Sequence, residues 1–109
     1  MVAAGETIIS QGEPATGFYV ILSGTFTVQL ETQPRPLVIG TLGAGGCFGE
    51  IGVLQTGSHT ATVRATHGGE VVRLPVSELQ RIVTEAAIAG VDLATAANAF
   101  VTQLDWGAE

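Results

Sequence analysis

Over its first three quarters the chain alternates short apolar runs with glycine, and the apolar residues are mostly Val, Ile, Phe and Tyr set between threonines, the pattern of many short strands. "GETIIS" (5–10) and "GFYVILSGTFTVQLE" (17–31) alternate or nearly alternate, with Ser23-Gly24 placed to turn the chain between two strands, so a hairpin is expected there. "TQPRP" (32–36), with two prolines in five residues, suits a loop, and "LVIGTLG" (37–43) reads as the next strand. "TATVRATHGGEVVRLP" (60–75) supplies two more around a turn at Thr66-His67-Gly68-Gly69. Roughly seven or eight regularly spaced strands before residue 76 predict a mainly β sandwich or barrel.

At Pro75 the period changes. Ser77 with Gln80 three positions on forms a capping-box pattern, and Leu79, Ile82, Val83 and Ala86 recur at helical spacing. Gly90 is placed to end that helix in the left-handed conformation. Asp92 is placed to cap a second helix, with Leu93, Ala97, Phe100 and Leu104 as its apolar stripe. That stripe can fold back on the sheets or pair with a second copy, giving a homo-oligomer through the C-terminal helix.

Composition narrows the function. At 109 residues, 46% hydrophobic and 13% charged, the chain has apolar material for one core, and a single unit is expected over 1–109, sheets to about 76 and helices from about 77 to 106. A formal charge of −6, with four arginines and no lysine, argues against direct nucleic-acid binding and against an anionic membrane. No apolar run approaches the ~18 residues of a bilayer span, and "MVAAGETIIS" lacks the basic start of a signal peptide, so a cytoplasmic location is expected. The single Cys47 offers no disulfide framework and reads as a small buried apolar residue.

Candidate chemistry concentrates in residues 42–61. "LGAGGCFGE" holds four glycines in nine residues, which lets backbone approach a ligand closely. "EIGVLQ" after it suits a short helical turn whose first N–H groups, near Ile51 and Gly52, would have no intrahelical acceptor and could face an anion. Glu50 would repel a phosphate but could accept from a sugar hydroxyl. On these features alone an ordinary loop and a ligand cradle both stay open.

Three blocks taken in order resemble the cyclic nucleotide-binding domain family over roughly residues 5 to 83. "GETIISQGEPATGFYVILSGTFTV" is similar to its first strands, "CFGEIGVLQTGSHTATVRA" to its phosphate-binding cassette, and "EVVRLPVSEL" to its last strand and the following helix. The resemblance implies an eight-stranded β-roll (jelly-roll barrel) with C-terminal helices, and cAMP or cGMP as ligand, with no other cofactor and no metal. It implies Glu50 on the ribose 2′-hydroxyl, Gly49 for close backbone passage, the amides of Ile51 and Gly52 on the cyclic phosphate, and Thr60 and Ala61 on phosphate or base. It also raises Trp106 as a lid over the base, beside the plainer role of a packing residue. His59 stands where the family carries arginine.

Histidine cannot copy the forked pair of hydrogen bonds of a permanently charged guanidinium. Imidazole with an ordinary pKa is only about a quarter protonated at neutral pH. Loss of a charged hydrogen bond worth roughly 1.5–3 kcal/mol weakens binding by about ten- to a hundredfold. Arg64 lies five residues further along the same strand, and odd spacing turns it to the opposite face. Three roles for His59 follow: a pH-sensitive phosphate ligand, a contact for a different small anionic molecule, or a remnant in a pocket kept as scaffold. His67, beside two glycines, reads as a solvated turn residue.

An enzyme is not expected. Two histidines eight residues apart cannot build a three-histidine metal site, and the adjacent Ser58-His59 do not make a nucleophile–base pair. The expected function is a regulatory small-molecule-binding module, with weak cAMP binding. The alternative is a degenerate domain serving as structural or protein-interaction part of a larger bacterial protein, for example an insertion in a nanocompartment shell protein. In both, the remainder of a longer polypeptide is the expected partner.

Overall fold

The computed structural model describes residues 2–103. Seven strands form among them: β1 (Thr7–Ile9), β2 (Gly17–Ser23), β3 (Phe26–Leu30), β4 (Leu37–Leu42), β5 (Cys47–Phe48), β6 (Thr62–Ala65) and β7 (Glu70–Pro75). Two helices follow, α1 (Val76–Ala89) and α2 (Leu93–Gln103). Every neighbouring pair of strands is antiparallel, in a four-stranded sheet of order β1-β6-β3-β4 and a three-stranded sheet of order β5-β2-β7. This is the expected mainly β roll with C-terminal helices, with seven strands where eight were expected.

β2 explains the layering. Its alternate residues Phe18 and Val20 are fully buried against α1 and α2, together with Leu74, Leu79, Ile82, Ala97 and Val101. Ile21 faces the other way, into a core between the sheets with Ile9, Phe26, Phe48, Val63 and Ala65. A strand covered on both faces reads as a nearly continuous apolar run, as "GFYVILS" does.

The expected hairpin at Ser23-Gly24 does not form. β2 pairs with β5 and β7, β3 pairs with β4 and β6, and the chain crosses from one sheet to the other between them. The segment 66–69 makes the matching crossing between β6 and β7, so it too is a corner and not a hairpin turn. The two corners lie against each other: a Cβ on Gly24, whose φ is +96°, would stand 2.9 Å from both the Gly68 carbonyl oxygen and Gly69 Cα. Strand alternation is the same for a hairpin and for a ribbon that bends between sheets, and only the pairing partners separate the two.

The helix boundaries follow the expectations in part. α1 starts at Val76 behind Pro75, whose backbone is extended, and no side chain caps it, so the Ser77–Gln80 capping box is not made. Pro75 needs no N–H partner at the helix start. Gly90 ends α1 in the left-handed conformation, with its N–H donating to the Ala86 carbonyl. Asp92 Oδ1 accepts the Thr95 N–H at 2.7 Å and caps α2. The α2 stripe folds onto its own roll through Leu93, Ala97 and Phe100, with Val101 in addition. Leu104 and Trp106 lie outside the described residues. Among the described residues, no helix is long and apolar enough to cross a membrane.

Candidate functional site

A cavity of about 160 Å³ opens on the inner face of the four-stranded sheet. Its apolar wall comes from Ile9 of β1, Val28 of β3, Leu42 of β4, Phe48 of β5 and Val63 of β6. Phe48 is held from behind by Tyr19, stacked at 5.1 Å between centroids, and by Phe26 at 6.0 Å. All seven residues singled out in the sequence, Gly49, Glu50, Ile51, Gly52, His59, Thr60 and Ala61, line this one cavity. Sequence reasoning did not find the strand residues of the wall, because as members of apolar alternation they look like any other core positions.

The glycine-rich segment enters the cavity by docking on β2. Gly45 N–H donates to the Ile21 carbonyl and Ile21 N–H to the Gly46 carbonyl, both at 2.9 Å, before Cys47 and Phe48 pair with Val20 and Tyr19. At Gly49 φ is +93°, and a Cβ there would lie 3.4 Å from both His59 Cε1 and Phe18 Cα. The chain then winds into the expected helical turn, π-helical over Gly52–Thr56, and Gly57 closes it in the left-handed conformation. The N–H groups of Ile51 and Gly52 open this turn and have no residue four positions earlier within it to accept from them.

His59 is held by its backbone. Its N–H donates to the Glu13 carbonyl and its carbonyl accepts from Gly12 N–H, both at 2.8 Å, while Ala15 N–H donates to the Gly57 carbonyl at 2.8 Å. A strap of residues 12–15 thus fixes the cassette, a function hidden in "QGEPATG", which reads as turn composition. Only 6% of His59 is exposed, and its Nδ1 is buried with no hydrogen-bond partner. Burial holds the imidazole below its ordinary pKa, and the Glu13 charge only partly offsets this. Burial pushes the Glu50 carboxyl up, against a smaller lowering by its own backbone N–H. Cys47 in the same wall is pushed up to about 12, first by burial and then by the Glu50 and Asp92 charges.

Arg64 lies outside the cavity as expected, but not by alternation with His59 along one strand, because β6 begins only at Thr62. The arginine points away from the cavity, is exposed, and donates to the Gly5 carbonyl at 3.2 Å. His67 is exposed at the corner between β6 and β7.

The two-sheet roll thus carries a glycine-led helical turn over an internal cavity of small-molecule size. The chain belongs to the cyclic nucleotide-binding domain family: the model of that family, "Cyclic nucleotide-binding domain", matches residues 1–86. It is 35% identical over 89 residues to a lysophospholipase, NTE1, of Candida albicans, covering 77% of this chain and 6% of that protein. It is 38% identical over 72 residues to the cAMP-dependent protein kinase regulatory subunit of Mycosarcoma maydis, covering 66% of this chain and 14% of the relative. In fold it is similar to the catabolite activator protein of Thermus thermophilus, with a TM-score of 0.71 at 20% identity over 94% of this chain and 46% of the other. The chain therefore spans a small part of the curated relatives it matches.

Proposed function

We propose that this domain is a regulatory module that takes a cyclic nucleotide in the cavity at 49–61, weakly at neutral pH and more tightly as His59 gains a proton. The observation that carries the reading is the convergence of Glu50, the opening amides of the helical turn and His59 on one cavity, in a chain of this family. Glu50 supplies acceptors for a ribose hydroxyl. The Ile51 and Gly52 amides supply neutral donors for phosphate, and His59 supplies a charge only when protonated. The titratable groups around His59 are Glu13, Glu50 and Cys47. Acidification charges His59 and neutralises Glu50, and both changes favour an anionic phosphate.

Titration calorimetry with cAMP at about pH 5.5 and about pH 8 tests this. Tighter binding at the lower pH is expected, and His59→Arg strengthens binding at the higher pH by about ten- to a hundredfold. Absence of heat at both pH values, or no gain from the arginine, would sink the reading.

A second reading, a protein-interaction domain of a longer polypeptide, is favoured by β4. This edge strand leaves Leu37, Val38 and Ile39 more than half exposed. Uncharged edges of this kind are templates for pairing with another chain.

A further inference from the structure

The chain has only four side-chain cations at neutral pH, all arginines, and none lines the cavity. Arg64 bonds to the Gly5 carbonyl on the outer face of the sheet, and Arg73 to the carbonyl and hydroxyl of Thr16 at 3.0 and 2.8 Å. Arg81 sits between Glu78 and Glu85 and over the Phe100 ring, and Arg35 lies in the exposed connection before β4. The polar side chains that the cavity does present are Glu50, His59 and Thr60. A phosphate entering at neutral pH therefore meets a carboxylate and no counter-charge, and burying an uncompensated anion is costly.

The same walls suit an uncharged polyol. His59, one of the lining residues, is more than nine-tenths buried, and its Nδ1 is shielded from the cavity as well as from solvent, with no hydrogen-bond partner. Glu50 accepts from two hydroxyls and so matches a vicinal diol. The volume, 160 Å³, is close to the roughly 150 Å³ of an engineered cavity that holds one benzene-sized ring. One furanose fits on that scale, with the rest of the ligand at the mouth beside half-exposed Ile51. We infer that at neutral pH the cavity selects an uncharged ribonucleoside over the phosphorylated cyclic nucleotide. This rests on the reading of the cavity as a nucleotide-type site and changes which part of the ligand it recognises.

The test is calorimetry on the 109-residue chain at about pH 7.5 with adenosine, 2′-deoxyadenosine and cAMP. Adenosine is expected to bind about tenfold or more tightly than cAMP, and 2′-deoxyadenosine about tenfold more weakly than adenosine. Glu50→Gln, close in shape and checked by its melting curve, is expected to narrow the gap between adenosine and cAMP by removing the like charge. Tighter binding of cAMP than of adenosine by the unaltered chain overturns this inference and leaves the cyclic-nucleotide reading standing. An unchanged gap in Glu50→Gln overturns the electrostatic basis, and failure of adenosine to bind at this pH overturns the inference, while the cyclic-nucleotide reading is decided separately by the titration at about pH 5.5.

Discussion

Asn98, in the middle of α2, donates through its amide nitrogen to the Gly45 carbonyl at 2.7 Å, across 53 residues of sequence. The same nitrogen donates to the Ala94 carbonyl at 2.8 Å, so both amide hydrogens are used. Gly45 lies two residues before Cys47, where the cavity wall begins. The C-terminal helix is thus tied to the segment that shapes the site. Asn98→Ala is expected to cost about 0.5–1.5 kcal/mol, since an exposed carbonyl regains water. It is also expected to speed hydrogen exchange at the Gly45 and Gly46 amides, which bond to the Ile21 and Gly43 carbonyls. Unchanged exchange at those two amides would show that the tie carries no strain between helix and loop.

His59 predicts how stability depends on pH. Its folded pKa is lowered from 6.5 by burial, so the unfolded chain binds the proton more readily than the folded one. The stability associated with neutral His59 is present above about 6.5 and is lost as the pH falls toward the folded pKa. Glu50 has the opposite sign: its folded pKa is raised from 4.5, so its contribution is complete below that value and is lost as pH rises through the folded pKa. His59→Gln isolates the first effect. Urea melts from about pH 7.5 to about pH 5 should show the unaltered protein losing stability relative to the variant as pH falls. Parallel profiles would mean that the imidazole protonates as easily in the folded chain as in the unfolded one.

Much of the roll was legible because its strands are bounded by glycine and by "TQPRP", and because the helical period begins where proline stops the last strand. Cys47–Phe48 was not read as a strand, since two residues carry no period. The sheet to which each strand belongs was not legible either: Ser23-Gly24 suits a tight turn and a corner equally, and the choice rests on contacts with residues 68 and 69, far along the chain. At the site, the residues that carry chemistry stood in one stretch and could be named. The walls from Ile9, Val28, Leu42 and Val63 could not, because tertiary pairing alone brings those four strands around one space.

The corner makes a test of close packing. A Cβ on Gly69 would run into the Ser23 carbonyl oxygen and stand 2.9 Å from Gly24 Cα and 3.0 Å from Ser23 carbonyl carbon, all main-chain atoms that cannot swing away. Gly69→Ala is expected to cost about 1–3 kcal/mol through overpacking. Gly40 in β4 is the internal control, with nothing within 4 Å of its Cβ position, and Gly40→Ala is expected to be neutral or slightly stabilising. Equal urea midpoints for the two variants would contradict the interlocked corners.

Cys47 gives a chemical probe of the cavity wall. With its thiol pushed up to about 12, only about 10⁻⁴ of it is thiolate near pH 8, against about a tenth for a thiol at the ordinary value of 9.0. Because the thiolate is the nucleophile, iodoacetamide is expected to label the folded chain about a thousandfold more slowly than the urea-unfolded chain. Burial is the main cause of the shift and the Glu50 charge the second, so Glu50→Gln is expected to raise the folded-state rate without reaching that of the unfolded chain. A faster rate in Glu50→Gln therefore reports the carboxylate's charge inside the cavity, independently of any ligand. Equal rates for the two folded proteins would show that Glu50 turns its charge away from this wall, and would remove the ground for a site that disfavours phosphate.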